Sequence, residues 1–135
     1  MYTVKLPQTA YEQILAHARA CLPEEACGLL AGRIQGNVKT VERVYENADH
    51  TNVHFTIDPR DQLAAVKDAR MRDLAMIGNF HSHPETPSRQ SEEDKRLAYD
   101  HSASYLILSF MEDEPVLNSF HFNGRESTKE NLVIE

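Results

Sequence analysis

The apolar run Leu74-Ala75-Met76-Ile77-Gly78 leads straight into Asn79-Phe80-His81-Ser82-His83-Pro84, and this stretch constrains the fold more than any other. A short apolar run bounded by turn residues reads as a buried strand. Side chains alternate across a strand, so His81 and His83 present two imidazoles on one face while Phe80 and Ser82 point to the other. Pro84 ends the strand, because it has no N–H to give to a ladder. Glu85 to Gln90, with a second proline and small polar residues, reads as a loop. Ser91 then suits a helix N-cap, and Glu92, Glu93 and Asp94 fill a first turn where negative charge is favoured. Two histidines at a strand end, faced by Asp94 at the start of the next helix, make a candidate zinc site. Two nitrogens and one oxygen leave the fourth tetrahedral position to water, the arrangement of a catalytic rather than a structural site.

The 135 residues are expected to form one domain, 1–135, large enough for a core without staples. Thr3 to Leu6 reads as a first strand, and Ala10 to Cys21 as a helix capped by Thr9 and stopped by Pro23. Its apolar stripe is Tyr11, Ile14, Leu15, Ala18 and Cys21. Cys27 to Leu30 and Val38 to Tyr45 read as strands joined by a turn at Gln35-Gly36-Asn37. Glu46 to Thr51 reads as loop, and Val53 to Ile57 as a brief strand or extended flap. Asp58 caps a helix that has Pro59 at its first position and runs to about Asp73. The Ser91 helix is expected to reach His101. Strands follow at Ser104 to Phe110, Val116 to Phe122 and Leu132 to Ile134. Hairpins alternate with helices, so the expected class is α/β (α+β), a mixed sheet flanked by helices.

Charge and composition narrow the partners. The net charge of −7 speaks against a nucleic-acid backbone. No apolar run approaches the roughly 20 residues that cross a bilayer, so no membrane role is expected. Met1 to Lys5 carries no apolar signal core, and Cys21 and Cys27 make no disulfide framework. A reducing cytoplasm is the expected setting.

Hydrolysis at a zinc site needs a carboxylate to carry a proton from water to a leaving amine. Asp94 is committed to the metal in this reading. Glu24, Glu25, Glu85, Glu92 and Glu93 remain as candidates for that base, and spacing does not choose among Glu24, Glu25 and Glu85. Glu92 and Glu93, on the same turn as Asp94, are more simply read as solvated. His17, His50, His54, His101 and His121 show no ligand pattern. Zinc-finger spacing is missing, and so is the His-x-Glu with Pro-Cys-x-x-Cys of the nucleobase deaminases.

His81-Ser82-His83-Pro84, six residues, then Ser91-Glu92-Glu93-Asp94 resembles the JAMM motif of the MPN-plus metalloproteases, H-[ST]-H-P-x(6)-S-x-x-D. Upstream, Glu25-Ala26-Cys27-Gly28-Leu29-Leu30 is similar to that family's E-x-C-G-[LI]-L segment. The resemblance spans roughly Tyr2 to Phe122. It implies a deaminase-like JAMM/MPN fold, with His81, His83 and Asp94 as zinc ligands. Glu25 would be the general acid/base, and Ser91 would help hold the oxyanion.

By the same resemblance the activity is cleavage of a peptide or isopeptide bond. The compact chain looks most like the small prokaryotic stand-alone members, whose substrates are ubiquitin-like or sulfur carrier proteins with a Gly-Gly tail. Such tails add as an extended strand at a sheet edge. Asn52 to Ile57, with Phe55 at its centre, is the expected edge. Two other readings stand beside this one. Similar domains hydrolyse cell-wall peptides or occur in RadC-like proteins, and the absence of an attached cell-wall-binding or helix-hairpin-helix module argues against both. Relatives without metal ligands serve as binding scaffolds, whereas this sequence retains every ligand. Oligomeric state is not legible in the sequence.

Overall fold

The computed structural model describes residues 1–46 and 58–135. The expected edge at 52–57, and with it Phe55, lies outside the described residues, as does the expected loop beyond Glu46. Within them run β1 (Thr3–Leu6), α1 (Gln8–Cys21), β2 (Cys27–Gln35), β3 (Val38–Glu46), α2 (Pro59–Met71), β4 (Ala75–His83) and α3 (Glu92–Leu97). They are followed by β5 (Ser104–Ser109), β6 (Val116–Phe122), β7 (Ser127–Lys129) and β8 (Asn131–Ile134). The strands form one mixed sheet in the order β7-β6-β5-β4-β2-β3-β1-β8. β4 is antiparallel to β2 and parallel to β5, so the histidine strand lies near the middle of the sheet.

The two faces of β5 show how the layers divide. Leu106 and Leu108 join the cluster under α1, with Ile14, Ala18, Leu30 and Phe80. Tyr105 and Ile107 join a second cluster with Ala98, Ala103, Phe120 and Phe122. A strand buried on both faces is a continuous apolar run, which is how Tyr105-Leu106-Ile107-Leu108 reads. Cys21 is buried in the first cluster, as its place in the α1 stripe predicts.

Two helix ends differ from expectation. α1 starts at Gln8 with Pro7 as its cap residue and no side-chain cap, so Thr9 is inside the helix. The Gln8 N–H is satisfied instead by the backbone carbonyl of Glu135 at 2.8 Å, a partner that local sequence does not reveal. α3 ends at Leu97 rather than His101. Asp100 accepts the Ser102 N–H at 2.9 Å and so turns the chain locally. Ala98 and Ala103 can then both enter the second cluster. The Asp58 cap holds as expected, accepting the Arg60 N–H at 2.8 Å.

β7 has no counterpart in the expected strands, and it explains how the sheet curls. β7 and β8 are separated by Glu130 alone, yet they occupy opposite ends of the strand order. One nearly continuous segment therefore pairs with β6 through β7 and with β1 through β8, drawing the two edges together. At this seam the Glu130 side chain is buried and accepts the Ser119 hydroxyl at 2.7 Å.

A buried lysine ties the curled sheet together. Lys39 is 1% exposed, and its ammonium donates to Ile77 O (3.1 Å), Ser102 O (2.7 Å) and Ser104 Oγ (2.9 Å). Burial lowers its pKa, while the charges of Glu130 and Asp100 push it back up. Two carbonyls and a hydroxyl oxygen offer an acceptor to each of the three hydrogens of the charged form. Lys39→Met is therefore expected to lower the unfolding free energy in urea by about 1–3 kcal/mol, the cost of leaving buried acceptors without their donor. A loss below about 1 kcal/mol would show that these acceptors do not depend on Lys39.

Candidate metal centre

β4 delivers the two imidazoles as its alternation predicts. His81 Nε2 and His83 Nε2 lie 3.1 Å apart, and Asp94 Oδ2 is 3.2 Å from the first and 3.1 Å from the second. All three side chains are buried. Hydrogen bonds alone cannot satisfy a triangle this tight. Each ring nitrogen has at most one hydrogen, aimed along one line, and cannot serve two partners about 60° apart. It does suit a shared cation: ligands at ~2.0–2.1 Å from a tetrahedral zinc stand about 3.3–3.4 Å apart.

The supporting contacts select the right lone pairs. His83 Nδ1 donates to the Pro87 carbonyl at 2.8 Å, so in the neutral ring Nε2 is the unprotonated nitrogen and faces the cluster. Asp94 is set by a capping box. Its backbone N–H donates to Ser91 Oγ at 3.0 Å, and its Oδ2 accepts the Ser91 N–H at 2.9 Å. The loop between β4 and α3 is pinned as well. Ser88 Oγ donates to Ile107 O, Ser109 Oγ to Thr86 O and Asn118 Nδ2 to Ser88 O.

Electrostatics follow from burial and contact. Burial pulls the His81 pKa down, and the bond and charge of Asp94 only partly offset it. Burial acts in the same sense on His83. There the bonds to Asp94 and the Pro87 carbonyl, with the charges of Asp94 and Glu25, prevail and raise it. Burial works to raise the Asp94 carboxyl, but its bonds to both imidazoles hold it well below the usual carboxylate range. Both ring nitrogens thus face an ionised carboxylate, the donor set a divalent cation requires.

Of the five carboxylates left open as a base, Glu25 is the one the fold brings here. A Glu25 oxygen lies within 4.8 Å of ring nitrogens of His81 and His83. The fixing device is Ser82, a residue the alternation assigned only to the opposite face. Its Oγ accepts the Ala26 N–H at 2.8 Å and its own N–H donates to the Ala26 carbonyl at 2.9 Å. This double latch holds the residue after Glu25 against β4. Gly28 is required two pairs further on, where it lies opposite Phe80. A Cβ there would fall 2.3 Å from both the Phe80 ring and the Tyr45 carbonyl.

A groove opens beside the cluster. Its near end, a cavity of about 250 Å³, is lined by Gly28, Leu29, His81, Gln90, Asp94 and Leu97, among others. A further cavity of about 320 Å³ shares Leu29, Gln62, Asn79, Leu97, Tyr99 and Tyr105 with it and extends to Met76 and Asp100. Glu25 lines neither part.

The chain is also similar to known proteins in sequence and fold. The family model described as prokaryotic homologs of the JAB domain matches residues 7–123. The CysO-cysteine peptidase of Mycobacterium tuberculosis is 28% identical over 110 residues, covering 81% of this chain and 75% of that protein. A desampylase of Haloferax volcanii is 30% identical over 137 residues, covering 98% and 96%. A Desulfitobacterium hafniense protein solved in solution superimposes with a TM-score of 0.88 at 50% identity, covering 98% of this chain and 92% of that one.

Adding zinc to chelator-treated protein is expected to raise the melting temperature, since a ligand at a hundredfold excess over its Kd stabilises by about 2.7 kcal/mol. Asp94→Ala should remove most of that rise. An undiminished rise in the variant would place the cation elsewhere.

Proposed function

Because the chain belongs to the prokaryotic JAB-domain family, we propose that it is a zinc-dependent peptidase. It would cleave a peptide or isopeptide bond at the C-terminal tail of a ubiquitin-like or sulfur carrier protein. The observation that carries this reading is the buried triangle of His81, His83 and Asp94 with Glu25 beside it. The names of the two curated relatives, a peptidase acting on CysO-cysteine and a desampylase, support the substrate class. The groove beside the triangle offers an extended tail a place to lie. Cys21 and Cys27 are both buried and not joined in a disulfide, in keeping with a reducing cytoplasm.

His81, His83 and Asp94 would hold the zinc, which would supply Lewis acidity and a water whose pKa falls to about 7. Glu25 takes up a proton from the attacking water and hands it to the departing amine. Ser91 is exposed, and its hydroxyl hydrogen is available to the oxygen that gains charge as the carbonyl is attacked. His83 stays in one tautomer through Pro87, and the capping box keeps the Asp94 carboxylate from rotating away.

The test is mass spectrometry of zinc-loaded protein mixed with a sulfur carrier protein extended past Gly-Gly by one cysteine. Wild type is expected to remove the cysteine. Glu25→Gln should bind zinc normally and lose turnover by at least the 10²–10⁴-fold typical of a general acid/base. Retained turnover would take Glu25 out of the mechanism, and no cleavage of any tailed carrier by zinc-loaded wild type would overturn the substrate class. Ser91→Ala separates two roles: a cap alone costs about 1 kcal/mol of stability. An oxyanion donor costs a further 10²–10³ in kcat.

A further inference from the structure

One carboxamide beside the metal centre is satisfied at one end only. Gln90 precedes Ser91, is 7% exposed and lines the near cavity with His81 and Asp94. Its Oε1 accepts the hydroxyl of Ser127 at the start of β7, which fixes the amide plane. Its Nε2 is buried and has no hydrogen-bond partner among the described residues. Native proteins leave few buried donors without an acceptor, because the lost hydration is not recovered. Around it the cavity wall is mostly apolar, with Leu29, Phe80, Leu97 and Tyr105. An occupant of the cavity that Gln90 lines can supply the acceptor.

The position of Glu25 says which part of a substrate that is. In the proposed reaction the amine leaves toward its proton donor, and Glu25 lines neither part of the groove. That arrangement favours the groove for the acyl side of the substrate. Its main-chain carbonyl oxygens are acceptors at any sequence, and a tail of small residues brings them close to the wall.

We propose that Gln90 is a specificity-determining residue, its Nε2–H donating to a main-chain carbonyl oxygen of the acyl-side tail beside the scissile bond. The inference rests on the peptidase reading above. A pocket built to hydrogen-bond a substrate group discriminates strongly, because a substrate lacking that group leaves the protein donor unpaired.

Two variants isolate the contact. Gln90→Glu keeps an oxygen for Ser127 and replaces the donor by an acceptor, while Gln90→Met removes the amide and keeps the stem. Each is compared with wild type, zinc-loaded, on the carrier extended by one cysteine. In parallel, the dissociation constant of that carrier is measured in a Glu25→Gln background, where turnover is expected to be at least about 10²-fold slower. The expected result is a tenfold or greater rise in KM and in the dissociation constant for both variants. Their kcat should stay within about twofold of wild type, with zinc content unchanged. Unchanged KM and dissociation constant would overturn the role of Gln90 and leave the peptidase reading intact. A fall in kcat with loss of zinc would overturn it in favour of a structural role in the loop. Failure of wild type to cleave or bind the carrier would overturn both.

Discussion

The site and the core are two faces of one strand. Over Phe80 to His83, successive side chains of β4 serve opposite ends: the odd positions form the imidazole pair, the even positions lock the sheet. Phe80 sits under α1, in edge contact with the His17 ring. Ser82 latches Ala26, and through it the approach of Glu25. A one-residue slip of register would bury the imidazoles under α1 and turn the latch outward, so strand pairing and catalytic geometry are set together. Gly28 belongs to the same constraint, since the Phe80 ring fills the space a side chain would need.

What was legible in the sequence was whatever depends on near neighbours. The alternation of β4, the stop at Pro84, the Ser91 cap and the Asp58-Pro59 helix start all concern residues within a few positions of one another, and each stands as expected. The turn at Gly36, which carries a positive φ of 61°, belongs with them. The mixed sheet with flanking helices followed from the same local patterns. Choosing Glu25 from five carboxylates needed the family motif. The fold supplies the physical reason, a latch between residues 26 and 82 that no local pattern encodes.

Illegible features share long-range partners. Nothing near Lys39 in the sequence marks it for burial, and it reaches acceptors 38 to 65 positions away. β7 is three residues long and too short for any periodicity, and its place is set by pairing with β6. The start of α1 depends on the backbone of Glu135, at the other end of the sequence. Gln90 ends the stretch expected as loop, and only its burial and its bond to Ser127 set it apart.

Ser91 illustrates why a structural and a chemical reading of one residue need not compete. As a cap it uses an oxygen lone pair, accepting the Asp94 N–H at 3.0 Å. A hydroxyl has a second lone pair and one hydrogen, and capping consumes neither. The Asp94 N–H also orients that oxygen, which restricts where the hydrogen can point. An oriented donor costs less to reorganise as charge builds on a substrate oxygen than a freely rotating one does. The same bond therefore fixes one proposed zinc ligand and prepares the proposed oxyanion donor. Replacing Ser91 by threonine would preserve both the lone pair and the hydrogen, whereas aspartate would preserve the cap and remove the donor. Stability and turnover should part company in the aspartate variant alone.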